Sequence, residues 1–278
     1  MPFFTRNVKL GRPLRVGSRR IIALGTWGSA GDPTVYGAAD YDAAPALAYI
    51  DKLRAQTGKR ITLSHFVGKA LALTVAQHPD INCVLRFGRF YPRQSVDVCF
   101  LVAADSAGQD LSGTIIRNAD KKSISDFVTE METNVEAIRK KGDPAFKKMK
   151  STMSLVPGIL ARAVIKFSEL LMYALNLWTP LLGTPRDPFG SIMITNIGSL
   201  GLDMAFAPLV PYSRVPLLIS IGAVRETPVV RDQQIVIGKM LRLTVTFDHR
   251  LVDGVQMAKM AETLANIFAN PEARMGSV

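Results

Sequence analysis

Apolar positions in this chain repeat with two periods, and each change of period marks a predicted element. Thr34–Asp40 reads as a strand. From Tyr41 to Gln56, Leu47, Ile50 and Leu53 recur at helical spacing, with Asp42 as candidate cap and Gly58 as stop. Thr62–Gln77 predicts a second helix whose wide apolar face runs through Phe66, Val67, Ala70, Leu71 and Val75. His65 and His78 stand at its ends without a catalytic partner nearby in sequence, and read as structural. Pro79–Asn82 is a turn. Val84–Tyr91 and Val96–Ala104 read as strands, the second so continuously apolar that it belongs in the centre of a sheet. Gly113–Ile116 is short and strand-like. Ser123–Lys141 is an amphipathic helix with Ser123 as cap, Asp126 three residues on and basic residues at its C-terminal end.

The section from Asp143 to Asp187 breaks this order. Ser151–Leu182 is rich in Leu, Ala, Val and Ile and is interrupted by Pro157 and Pro180. Its uncharged stretch, Leu170 to Pro185, falls short of the roughly 20 apolar residues that span a bilayer. Two readings stand: an extra helical layer packed on the domain or on a neighbouring subunit, or a hydrophobic lid, acyl-pocket wall or membrane-surface helix within 151–183.

Regular patterning then returns. Gly190–Gly198 is a strand ending in polar residues, and Ser199–Asp203 is a loop. Leu217–Val224 is a buried strand. Val229–Val230 and Gln234–Ile237 flank a turn around Arg231–Asp232, and Met240–Phe247 is a further strand. Val255–Phe268 is the last helix, with Met257, Met260, Ala261, Leu264 and Ile267 on one face. Strands and helices come in mixed order without a βαβ repeat or a nucleotide-binding glycine fingerprint, so the fold class is mixed α/β or α+β. Residues 1–18, basic and irregular, read as an N-terminal arm, and 19–278 as one domain interrupted by an apolar helical insertion at about 143–187.

Composition sharpens this picture only in places. A net charge of +11 favours anionic partners such as a phosphorylated cofactor or a membrane surface. The basic residues are scattered, with no aromatic-interleaved basic run, so nucleic acid is not an expected partner. Cys83 and Cys99 sit in apolar segments without metal-ligand spacing, as buried small residues of a reducing, cytoplasmic protein. The N-terminus lacks the apolar core of a signal peptide. Three widely separated histidines provide no metal cluster.

The chemistry-bearing stretch is Val245–Val255. A strand runs into Asp248-His249-Arg250, and Asp253-Gly254 follows before the last helix. A histidine at a strand end suits general-base work near neutral pH, and either Asp253 or Asp248 can hold its ring or brace the loop. Gly254 would let the backbone turn tightly into the helix. A structurally satisfied histidine remains the alternative. No Gly-x-Ser-x-Gly elbow is present, so a base that activates a substrate's own thiol or hydroxyl is favoured over a protein nucleophile.

Phe247-Asp-His-Arg-Leu-Val-Asp-Gly254 resembles the active-site motif of the acyltransferase subunits of 2-oxoacid dehydrogenase complexes, whose fold is that of chloramphenicol acetyltransferase. Gly190–Gly198, Pro216–Gly222, Pro228–Val230, Leu63–Asn82, Ser95–Ala104 and Ile116–Ser123 fit the same family, so the likeness covers about residues 18 to 272. It implies His249 as the base that takes a proton from the thiol of dihydrolipoamide or coenzyme A. It implies Thr195 as a hydroxyl donor to the tetrahedral oxyanion, a role worth about 3 kcal/mol in comparable sites. Asp253 falls on the motif's aspartate, which supports the active-site loop, and Asn196 and Ser199 become candidate coenzyme A contacts. The site would lie between subunits of a homotrimer, with His249 of one chain facing Thr195 of the next.

Three departures from the family pattern carry expectations of their own. With no lipoyl domain and no lipoyl group on this chain, any lipoyl group would come from another protein or a dehydrogenase component. The 143–187 section would reshape the acceptor tunnel or add a contact. The C-terminus, Glu272–Val278, lacks a leucine-rich tail, so the trimer is expected to stay a trimer. A catalytically silent scaffold that binds a partner or a membrane is the rival reading, and a cytoplasmic or peripheral-membrane location fits either.

Overall fold

Alternation along the strands sorts their side chains onto two faces of one sheet. The computed structural model describes residues 5–15, 32–103, 111–141, 158–182 and 184–276. Among them are strands β1 (Thr5–Arg6), β2 (Thr34–Asp42), β3 (Cys83–Arg86), β4 (Arg89–Pro92), β5 (Val98–Ala103), β6 (Leu111–Ile116), β7 (Leu177–Trp178), β8 (Ile192–Asn196), β9 (Leu217–Arg231) and β10 (Gln234–Asp248). Helices are α1 (Ala44–Thr57), α2 (Leu63–Gln77), α3 (Ile124–Lys141), α4 (Gly158–Glu169), α5 (Gly254–Ala269) and α6 (Pro271–Met275). The main sheet has the order β2-β10-β9-β8-β5-β6. β8 runs parallel to both β5 and β9, and the other pairs are antiparallel. This is the mixed α/β architecture that the patterning predicts.

Val98 and Phe100, Ile192 and Ile194, Leu217 to Ile221 at every second position, and Leu241 to Phe247 likewise, face α1, α2, α3 and α5 in the main core. Phe66 of α2 is the hinge of that packing. Its ring is fully buried, meets Phe268 of α5 edge-on at 5.1 Å and approaches Tyr49 of α1 at 6.2 Å. Truncating such a residue costs about 3–5 kcal/mol. The opposite sheet face carries Cys99, Met193 and Leu218 in a smaller cluster beneath Ala207 and Leu209.

Three expectations are corrected. Val84–Tyr91 is not one strand but the β3–β4 hairpin, because Phe87 and Gly88 both take positive φ, 46° and 71°, as tight two-residue hairpin turns require. Leu217–Val224 and Val229–Val230 are one continuous 15-residue strand, paired with β10 around Asp232-Gln233, one residue later than expected. Its middle reads polar in sequence because the hairpin runs out past the helices, and Val230, Ile235 and Ile237 at its end are 73–78% exposed. Gly254 is the first residue of α5 without a positive φ, and a side chain there would meet nothing within 4 Å, so it is not a tight-turn glycine.

Residues 158–182 and 184–187 are tied both to residues 5–8 and to the residue after β6, where Arg117 donates to the Arg186 and Asp187 carbonyls at 2.6 and 2.9 Å. β1 pairs with β7. Asn176 clamps Val8 by accepting its N–H at 2.6 Å and donating to its carbonyl at 2.8 Å. A buried ion pair, Arg93–Asp187 at 2.5 Å, closes the segment back onto the residue that follows β4. No described helix is long and apolar enough to cross a membrane.

Candidate active site

The loop that carries His249 is fixed at almost every residue. β10 ends at Asp248, whose N–H donates to the Pro216 carbonyl at 3.0 Å. The His249 N–H donates to the Pro33 carbonyl at 2.8 Å, so the entry to β2 holds the histidine's backbone. Leu251 and Val252 donate to the Asp248 carbonyl at 2.9 and 3.0 Å, and their side chains are 3% and 1% exposed, which anchors the turn in the core. Arg250 folds back on Asp248 with three guanidinium contacts at 2.7, 3.0 and 3.2 Å, and this pairing raises the arginine's proton affinity further. His249 itself is half-buried, its ring centre 6.2 Å from that of Phe247 and tilted 33° to it.

Asp253 lies four residues on but does a different job. It is the N-cap of α5: its carboxylate accepts the Gln256 N–H at 3.0 Å, while the Gln256 side chain accepts the Asp253 N–H at 3.0 Å. This reciprocal pair satisfies two helix-start donors. Gln256 also donates to Asp80 and ties the helix start to the turn after α2. Asp253 therefore braces the loop, and Asp248 is engaged with Arg250.

Thr195 stands near the C-terminal end of β8, half-buried, its hydroxyl without a hydrogen-bond partner among the described residues. The loop after it is pressed onto β9. An added Cβ at Gly198 would sit 2.5 Å from the Gly222 carbonyl oxygen, and one at Gly222 would sit 2.3 Å from that of Asp203, so both positions must lack a side chain. Asn196 and Ser199 bond mainly to each other: the Asn196 side chain accepts the Ser199 N–H at 3.0 Å, and the Ser199 hydroxyl donates to the Asn196 carbonyl at 2.9 Å. Asn196 also donates to Ser64 at 2.8 Å.

Strand register measures the gap between the two halves. Thr195 pairs with Ser220 and Ser220 with Thr244, which precedes His249 by five residues. Five residues of strand rise and two strand spacings put Thr195 about 19 Å from His249 within one chain.

The remaining candidates fall to structural roles. His65 accepts the Thr62 N–H at 3.1 Å in the start of α2, and burial pushes its pKa down to about 4. His78 bonds Thr263 at 3.0 Å. Cys83 and Cys99 are buried and form no disulfide; burial pushes the Cys99 thiol up to about 12. Among the described residues no cluster of three or more His, Cys, Asp or Glu is arranged to hold a metal ion.

Sequence reasoning missed a wall beside the loop. A mixed-charge cavity of about 480 Å³ is lined by Asp248 and Arg250 and, from α4, by Lys166 and Glu169. Glu169 pairs with Arg214 just before β9. The sequence left a packed helical layer or a hydrophobic lid open for this helix but not this particular contact, because it joins residues about 80 positions apart, and nothing local marks such a pair.

Residues 16–152 and 188–275 match the model of the 2-oxoacid dehydrogenases acyltransferase (catalytic domain) family, and the chain belongs to that family. The match breaks over the segment that carries α4 and β7. Among curated proteins the chain is similar to the dihydrolipoyllysine-residue acetyltransferase component of the acetoin cleaving system of Bacillus subtilis (strain 168), at 24% identity over 216 residues. That alignment covers 78% of this chain and 43% of the relative, so the chain spans less than half the relative's length. Its fold is similar to a solved dihydrolipoamide acetyltransferase of Azotobacter vinelandii: TM-score 0.64, 19% identity, 87% of this chain and 84% of that one covered. It is also similar to chloramphenicol acetyltransferase, with TM-score 0.51 and 12% identity over 85% and 89% of the two chains. The expected fold class is thereby confirmed.

Proposed function

We propose that the chain moves an acyl group between thioesters, from coenzyme A to dihydrolipoamide or another thiol acceptor or in reverse, at a site shared between copies in a homotrimer. The observation that carries this reading is the separation of His249, on its rigid loop, from the Thr195 hydroxyl, which has no hydrogen-bond partner among the described residues: strand register keeps the two apart within one chain, whereas a closed ring of identical contacts would bring them together.

In the reaction His249 takes the proton of the acceptor thiol, and the thiolate attacks the thioester carbonyl carbon. The Thr195 hydroxyl of the neighbouring copy donates to the oxyanion of the tetrahedral intermediate. Collapse of that intermediate breaks the original carbon–sulfur bond, and the leaving thiolate recovers the proton from the imidazolium. No protein nucleophile is needed, which fits two buried cysteines that stand apart from the loop. The Azotobacter enzyme was solved to examine a serine, a histidine and an asparagine in its catalytic mechanism, the last two four residues apart. His249 and Asp253 share that spacing, and Asp253 acts here through the helix cap that sets the loop. Asn196 and Ser199, which shape the turn beside Thr195, are proposed to border the coenzyme A path, and the net charge of +11 favours its phosphates. A lipoyl-bearing protein or dehydrogenase component is the proposed acceptor partner.

The test is transfer from acetyl-coenzyme A to dihydrolipoamide by the intact chain and by His249→Ala. The variant should lose on the order of a hundredfold or more in kcat. Full activity in the variant would refute the mechanism, and no transfer by either protein would favour a non-enzymatic scaffold.

A further inference from the structure

Behind the His249 loop, between β10 and α5, lies an apolar cavity of about 240 Å³. β10 gives it Leu243, Val245 and Phe247, and α5 gives it Met257, Met260 and Leu264. Part of the wall carries little side chain, Gly37 and Ala39 on edge strand β2 and Ala258 and Ala261 on α5, while Tyr41, Leu71 and Ile219 complete the lining. Protein interiors otherwise fill to crystal density, and an empty void weakens the fold.

The lining offers almost no polar chemistry. Three hydroxyl residues line it, Tyr41, Thr74 and Thr244; Thr74 donates its hydroxyl to the Ala70 carbonyl at 2.9 Å and Thr244 to the Ala205 carbonyl at 2.5 Å. An apolar cavity of about 150 Å³ is already large enough to take benzene, so this one has room for a short aliphatic chain. Ala38 and Ala258, both exposed, mark where it reaches the surface.

Two links tie the cavity to the chemistry. Phe247, which lines it, has its ring 6.2 Å from that of His249. Its second wall, α5, starts directly after the Asp253 cap. We infer that the cavity is an acyl-chain subsite that takes the apolar tail of the thioester, so that the chain prefers medium-length aliphatic acyl groups to acetyl. This inference rests on the acyltransferase reading above.

The experiment compares transfer from acetyl- and hexanoyl-coenzyme A to dihydrolipoamide by the wild-type chain, Ala258→Leu and Ala261→Leu, with thermal denaturation in the presence of 1-hexanol. Both substitutions keep a strong helix former. The wild type should show a hexanoyl-to-acetyl kcat/KM ratio of about ten or more, and each filled variant should lower that ratio about tenfold, the discrimination a few methylenes give in an apolar pocket. 1-Hexanol should raise the Tm of the wild type and not of the variants. A wild-type ratio at or below one, a ratio untouched by filling, or a hexanol effect that survives filling overturns the subsite while leaving acyl transfer intact. Absence of transfer from either thioester overturns the acyltransferase reading and the subsite with it.

Discussion

Thr195 lies level with Thr244 in the sheet, two strands away from β10 and about 19 Å short of His249. On the proposed mechanism, a site that needs both residues is built from two chains. Thr195→Ala and His249→Ala chains should each be nearly inactive, yet refolding them together should restore transfer. Random assortment in a ring leaves about a quarter of the sites with both residues intact. Activity counts on the mixture check this, and mass photometry should find particles of three 30.3-kDa chains. Failure of the mixture to regain activity would refute a shared site.

Asp253 is expected to matter through its cap. Asp253→Ala should cost about 1 kcal/mol of stability and lower kcat by loosening the loop. Asp253→Asn retains a capping oxygen and should hold both stability and kcat. Urea melts beside steady-state kinetics separate the cases, and an Asn variant as inactive as His249→Ala would assign the carboxylate's charge to the chemistry.

Acid should weaken the fold through His65. Its folded pKa of about 4 lies below the ordinary 6.5, so the folded state disfavours the protonated ring. The contribution is complete above pH 6.5 and is lost as pH falls from there to about 4, to a total of about 3 kcal/mol. His65→Gln keeps a side chain able to accept the Thr62 N–H and removes the titration. Its stability should be flatter across pH 4 to 6.5 than that of the wild type, and an equal slope would exclude His65 as the cause.

Lys69 holds the turn between β6 and α3 from inside the core. At 3% exposure it donates to the carbonyls of Ala119, Asp120 and Lys122 at 3.0, 2.8 and 2.6 Å. Burial lowers its proton affinity, against the opposing charge of Asp120. Lys69→Met leaves those acceptors without their donor and should cost about 3 kcal/mol in a denaturant melt. A loss below about 0.5 kcal/mol would mean that the turn holds itself.

Much of this was legible along the chain, for local reasons. Helical spacing located α1, α2, α3 and α5, and the buried strands showed as apolar runs because the neighbours that bury them impose a period on the sequence. The β3–β4 hairpin was hidden because Phe87, apolar in type, stands 70% exposed at the turn. The middle of β9 was hidden because a strand beyond the edge of its helices needs no buried face.

The sequence by itself determined which residue types are available for chemistry: a histidine at a strand end, polar residues at the end of another strand, and no Gly-x-Ser-x-Gly nucleophile elbow. Tertiary structure alone decided how they are arranged. It engaged Asp253 in a helix cap and Asp248 with Arg250, set Thr195 and His249 apart across two strands, brought α4 against the Asp248–Arg250 pair, and left a cavity behind Phe247. These facts depend on strand register and on contacts between residues far apart in sequence, and neither leaves a local period to read.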